Sequence, residues 1–186
     1  VYLEGGNAID AAISVAYAQG VVDPLMCGLG GSALMQVPLS DGTSVVIDGS
    51  VTIGSVAPPK HWITDYVGRS ETVGRYIVKD ESNQVGYASV AIPGFVRTTW
   101  QAYQKYGSKK VSWSHLLDPA ISLAENGFRI YPYLSMHLRP DYASPKPGYP
   151  VAMTKLRFSP ETERIYLKDG RPYQEDETLI QTDMAK

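Results

Sequence analysis

The sequence predicts an α+β fold, and three stretches carry that expectation. Asn7 to Gln19, "NAIDAAISVAYAQ", combines helix-start chemistry with a run of helix-forming residues. Two apolar runs, "SALMQV" and "TSVVID", flank Asp41-Gly42, a strong hairpin signal. "PGFVRTTWQAYQKYG" and "SWSHLLDPAISLAENG" then read as two further helices, each closed by a glycine.

In the first helix Asn7 serves as N-cap with Asp10 three residues on, and Gly20 suits the C-terminal position. Ala8, Ala11, Ala12, Ala16 and Ala18 let the helix lie close to another element, so it is expected to be buried. Residues 49–92 read as loop-rich, with "YASVAI" (87–92) as a further strand. Pro93 opens the second helix, which passes Trp100 and Tyr103, on one face with Val96, and stops at Gly107. Ser112 caps the third, Pro119 allows a kink or a fresh start after Asp118, and Gly127 closes it. From Tyr131 to Pro160 the density of Pro and Tyr forbids a long helix or a central strand and predicts an ordered surface excursion. "ERIYLKDGRPY" reads as a hairpin turning at Asp169-Gly170, and "TLIQTDMAK" as the first turn of a helix.

The bulk properties narrow the function classes. A net charge of −2 gives no attraction for nucleic acid or an anionic membrane surface. No apolar run reaches the roughly 18 residues of a membrane span. Cys27 is the single cysteine, so neither an internal disulfide nor a thiol-rich metal site is available. It reads as a small buried hydrophobe with no activating base nearby in sequence. His61, His115 and His137 are dispersed without paired ligand spacing, so no metal and no cofactor are expected. An opening at Val1 without methionine and a close on an unfinished helix are expected of one part of a larger protein.

Gly28, Gly30 and Ala33 stand at the spacing G-x-G-x-x-A, a variant of the dinucleotide fingerprint. That site needs a strand before the glycines and a helix after them, to present the helix N-terminus to the pyrophosphate. Here a helix precedes and a hairpin follows, so the context is inverted and the cradle reading fails. The alternative is structural: Gly28, Gly30 and Gly31 allow close backbone packing or positive φ where the chain enters the first strand.

Read in order, "GGNAIDAAISVAYAQGVVDPLMCGLGGSALMQV" resembles the N-terminal signature of the γ-glutamyltranspeptidase family. "AIPGFVRTTWQAYQKYGS", "SWSHLLDPAISLAENGF" and "DETLIQTDMAK" resemble later family segments in the same order, so the likeness spans nearly the whole chain. The resemblance implies part of a four-layer αββα N-terminal-nucleophile hydrolase sandwich, with residues 1–186 a partial large-subunit domain. It further implies a self-cleaving precursor whose small subunit begins with the nucleophilic threonine. That threonine would form an acyl-enzyme from γ-glutamyl amides such as glutathione, released to water or an amine. Nothing in this chain matches the nucleophile motif, so no catalytic residue is assigned here. The implied partners are the small subunit and a small amide or peptide substrate.

One departure from the family bears on the substrate. The resemblance implies an arginine in an Asp-x-Arg-Glu-x-Ala-Pro loop, pairing with the α-carboxylate of the γ-glutamyl group. Here the loop is "IDGSVTIGSVAPP", and neither anchoring, on Asp48 or on Ala57-Pro58, supplies an arginine. Arg69 and Arg75 are the substitutes considered. Ser50, Thr52 and Ser55 are the substrate-contact candidates in the loop, against a plain turn of small polar residues. Asp48 closes the preceding strand and is expected to cap that turn. The tyrosine-rich segment 131–149 reads either as a partner- or substrate-facing surface or as plain packing. Two alternatives stand beside the transpeptidase reading: a divergent amidohydrolase or acylase whose substrate lacks that carboxylate, and a non-catalytic scaffold that retains the fold.

Overall fold

A computed structural model describes residues 1–58, 60, 62–71, 74–139 and 150–186. Its helices are α1 (Ala8–Val22), α2 (Phe95–Tyr106), α3 (Trp113–Asn126), α4 (Pro132–Leu138), α5 (Ala152–Leu156), α6 (Pro160–Tyr166) and α7 (Thr182–Ala185). Its strands are β1 (Ala33–Pro38), β2 (Ser44–Gly49), β3 (Tyr66–Arg69), β4 (Tyr76–Val78), β5 (Phe128–Arg129), β6 (Leu167–Lys168), β7 (Arg171–Pro172) and β8 (Thr178–Leu179). The mixture is the α+β content expected from the sequence. Two compact units emerge: Val1–Thr52 with Ile92–Phe128 and Ile180–Lys186, and Ile53–Ala91 with Arg129–Leu179.

In the first unit α1 begins as its sequence dictates. The Asn7 side chain accepts from the amides of Ile9 and Asp10, and Asp10 returns the bond to the Asn7 amide at 2.9 Å. The helix outruns its expected end: Gly20 lies inside it and Asp23 is the C-cap. Gly20 is buried inside the helix instead, and a Cβ there would make only ordinary contact, 3.7 Å from the Gly28 Cα. The alanines are not the buried face either. Asp10, Ile13, Ser14, Tyr17, Gly20 and Val21 form the buried stripe, while Ala8 and Ala12 are exposed. Small size permits close packing without requiring it, and the larger Ile13 and Tyr17 hold the stripe that α2 and α3 cover.

β1 and β2 pair antiparallel from Ala33↔Gly49 to Pro38↔Ser44, around a turn in which Gly42 takes φ +83°. Val37 and Ile47 point into the core, while Leu34 and Val46 occupy the exposed face. α2 starts two residues later than the sequence suggests, at Phe95, with Gly94 as N-cap and Pro93 outside the helix. Thr98, Thr99 and Ala102 are its buried residues. Trp100 and Val96 are about half exposed, and Trp100 and Tyr103 pack against Trp113 of α3. α3 is capped by the Ser112 hydroxyl, runs through Pro119 unbroken, and ends at Gly127 with φ +80°. Gln181 is buried at the head of α7; its amide donates to Ala124 O and its side chain to Val21 O at 2.9 Å. Those bonds satisfy orphan carbonyls at the ends of two helices.

The second unit is built from short pieces. β3 and β4 pair as a bulged hairpin. The strand expected over 87–92 is absent: Tyr87–Ser89 is a single 3-10 turn, with Gly86 at φ +86° under the Phe158 ring. Ile92 makes one bridge, to Thr52, inside the first unit. The excursion expected over 131–160 contains α4, begun by Pro132, and α5; its middle, 140–149, lies outside the described residues. The hairpin at Asp169-Gly170 forms between β6 and β7, both turn residues at positive φ, but Glu163 to Tyr166 belong to α6. Glu177 accepts from Arg171, Lys168 and the Gln174 amide, and these donors hold its carboxyl far below the usual range.

Candidate functional site

The loop leaving β2 is fixed by its own backbone. Asp48 Oδ1 accepts from the Ser50 amide at 2.8 Å and the Ser50 hydroxyl at 2.6 Å, closing an Asx turn. These two bonds, the hydroxyl first, hold the Asp48 carboxyl below its ordinary value. The Val51 amide donates to Ser32 Oγ at 3.1 Å, and Thr52 exchanges both backbone hydrogen bonds with Ile92. Asp48 therefore caps the turn, as its position at the strand end suggests. Ser50 and Thr52 share this exposed loop.

Beneath the loop lies a close backbone contact. A Cβ on Gly49 would collide with Thr98 Oγ1, and one on Gly94 would collide with Gly49 O. The first turn of α2 thus seats on the last residue of β2 with no room for a side chain on either glycine. Gly31 completes the seat, because its carbonyl accepts from the Gly94 amide at 3.2 Å and the Phe95 amide at 3.1 Å. The glycine-rich stretch 28–31 therefore binds a helix N-terminus with its own carbonyl rather than presenting a helix to a phosphate. Gly28, Gly30 and Gly31 all keep negative or extended φ, and a Cβ would meet nothing within 4 Å at Gly28 or Gly30 and only the Gly28 carbonyl, at 3.2 Å, at Gly31, so neither positive φ nor close packing accounts for the first two.

The remaining candidates are placed as follows. Ser55 falls in the second unit, exposed in a turn closed by the Ala57 amide on Gly54 O at 3.0 Å. Arg69 and Arg75 are also in the second unit. Arg69 Nε donates to Gly74 O at 3.0 Å and Arg75 Nη1 to Gln84 Oε1 at 3.2 Å, so both brace the β3–β4 hairpin and its surroundings. The Cys27 thiol is pushed up by burial and by the nearby Asp23 carboxylate, the reverse of an activated nucleophile. His137 Nδ1 donates to Tyr133 O at 2.8 Å, and its ring lies tilted against the Tyr133 ring with centroids 4.1 Å apart. His115 sits between Glu4 at 2.9 Å and Asp118 at 2.6 Å on the surface. His61 lies outside the described residues. No cluster of metal-ligating side chains occurs among the described residues.

Sequence reasoning located the loop but missed its supports, Ser32, Ile92, Gly94 and Thr98. The available signal was the pair Gly49 and Gly94, one at a strand end and one at a helix start.

Comparison with known proteins gives the affiliation. The family model described as gamma-glutamyltranspeptidase matches residues 1–186. The chain is 35% identical over 186 residues to the acylase ACY 1 proenzyme of Pseudomonas sp. (strain V22), covering all of this chain and 30% of that protein. It is 31% identical over 189 residues to the glutathione hydrolase proenzyme of Bacillus subtilis (strain 168), covering all of this chain and 28% of that one. The crystal structure of Helicobacter pylori gamma-glutamyltranspeptidase matches with a TM-score of 0.80 at 28% identity, over 98% of this chain and 46% of that chain. The chain spans under a third of the length of those curated relatives. With the loop ahead of α2 built as described and the family model matched from end to end, this chain belongs to the γ-glutamyltranspeptidase family.

Proposed function

We propose that residues 1–186 are the large-subunit portion of an enzyme that cleaves γ-glutamyl amides through an acyl-enzyme on a threonine of a separate small subunit. The family match over the whole chain carries this reading. In it the hydroxyl attacks the γ-carbonyl, the amine departs with a proton, and water or a second amine takes the acyl group. The exposed outer face of the β1–β2 hairpin, with α2 on the inner side, suits one α layer and one β layer of a four-layer αββα sandwich. Ser50, Thr52 and Ser55 are the proposed substrate contacts. Ser50 Oγ gives its proton to Asp48, so toward a ligand it acts as an acceptor, suited to the α-ammonium of a γ-glutamyl group. The Thr52 hydroxyl offers both a donor and an acceptor.

A second reading, an acylase for substrates without the glutamyl α-carboxylate, is favoured by one specific observation. Residues 1–52 contain no Lys or Arg, and an acylase proenzyme is among the relatives at 35% identity. The test is the full precursor assayed with a γ-glutamyl anilide, with self-cleavage followed by intact mass. Correct cleavage with release of the anilide is expected. Cleavage without release would leave the acylase reading, and absence of a threonine at the cleavage point would leave the scaffold reading.

A further inference from the structure

A γ-glutamyl group carries a free α-carboxylate, and an anion brought to the Asp48–Thr52 loop meets a negative side chain there, that of Asp48. Within the same unit few cations are available to answer that charge. The unit holds five Lys and Arg: Arg97, Lys105, Lys109, Lys110 and Lys186. Lys109 Nζ donates to Tyr103 O at 2.9 Å, Lys110 packs over Gly5, and Lys186 pairs with Asp183 at 3.8 Å. Lys105 is eight residues further along α2 than Arg97, roughly 12 Å down the helix.

Arg97 differs from all of these in position. It lies on the first turn of α2, and Gly94, Arg97 and Thr98 stand at i, i+3 and i+4, so they share a helix face. Gly94 and Thr98 are the residues that seat against Gly49, which immediately precedes Ser50. Side chains on a helix lean toward its N-terminus, here toward Ile92, the bridge partner of Thr52. Arg97 is exposed, and among the described residues it has no hydrogen-bond or ion-pair partner. Two amides at the start of α2, those of Gly94 and Phe95, already donate to Gly31 O. The guanidinium is the charged donor at this end of the helix, and its planar fork matches a carboxylate bidentately.

We propose that Arg97 is the specificity-determining cation for the carboxylate at the far end of the acyl group, beside Ser50 and Thr52. This rests on the γ-glutamyl reading above. The experiment uses the self-cleaved full-length protein with two anilides, γ-glutamyl and 4-aminobutyryl, the second being the same acyl chain without the carboxylate. The wild type is expected to prefer the γ-glutamyl anilide in kcat/KM. R97Q should reduce that preference by about ten- to a hundredfold, the weight of hydrogen bonds to a charged group, mostly through KM. R97K should retain an intermediate preference, and intact mass should show normal self-cleavage of both variants. A wild type with no preference would overturn the γ-glutamyl reading. A wild-type preference that survives in R97Q would overturn the role of Arg97 alone. If R97Q fails to self-cleave, the preference of R97K decides: a preference equal to the wild type's overturns the bidentate assignment, and a reduced one supports it.

Discussion

Asp10 shows how one side chain serves two parts of the fold. Fully buried, it closes the capping box of α1 and also accepts from the Ser108 amide at 3.1 Å, while Asn7 reaches Tyr106 O at 2.7 Å. The start of α1 is thereby tied to the connection between α2 and α3. His115 makes a second tie on the surface. Both of its partners are carboxylates, which only accept when ionised, so the two contacts together require the doubly protonated imidazolium. Hydrogen bonds to Glu4 and then Asp118 raise the His115 pKa, and the bond to His115 lowers that of Glu4. His115 binds its proton more tightly in the folded chain than in the unfolded one. Its contribution is therefore complete below its ordinary value of 6.5 and fades as pH rises through the raised folded value. Glu4 is the reverse, complete above 4.5 and lost as pH falls through its depressed value. The urea midpoint of the wild type should accordingly fall relative to that of H115Q as pH rises above 6.5. Parallel curves for the two proteins would show that the cluster contributes nothing.

At the scale of elements, the seat of α2 on β2 is the feature on which the candidate site depends. G94A places a methyl group against the Gly49 carbonyl, which is backbone and cannot rotate away. Overpacking of this kind costs about 1–3 kcal/mol, and a shift in the denaturant midpoint would measure it. The same substitution should displace the Asp48–Thr52 loop and weaken substrate binding before it unfolds the chain. The helix starts and turns were legible in the sequence because their chemistry is local: Asn7 with Asp10, Ser112, Asp41-Gly42 and Asp169-Gly170 each act within a few residues. The end of α1 was not legible. Gly20 looks like a stop signal, but the helix runs on through buried Val21, whose packing outweighs the weak propensity of one glycine. The strand expected over 87–92 failed for a related reason. Its apolar alternation is real, but a strand needs a partner, and Ile92 alone finds one.

For the whole molecule, the chain covers under a third of its curated relatives, and the nucleophile motif is not within it. Residues 1–186 expressed alone should release no anilide from a γ-glutamyl substrate, whereas the self-cleaved full-length protein should. Release by the isolated segment, in a preparation shown by mass to contain nothing else, would require a nucleophile within these residues. The two compact units divide the candidate residues, with Ser50 and Thr52 in one and Ser55 in the other. The sequence by itself determined the family, the α+β content, the capped helix starts and the hairpin turns, because each rests on residue order or on contacts a few residues apart. Only the tertiary structure decided that the Gly31 carbonyl seats a helix N-terminus and that Gly49 and Gly94 meet backbone to backbone. Those facts join residues about 45 to 63 positions apart, and such pairings arise from close backbone packing that no local pattern records.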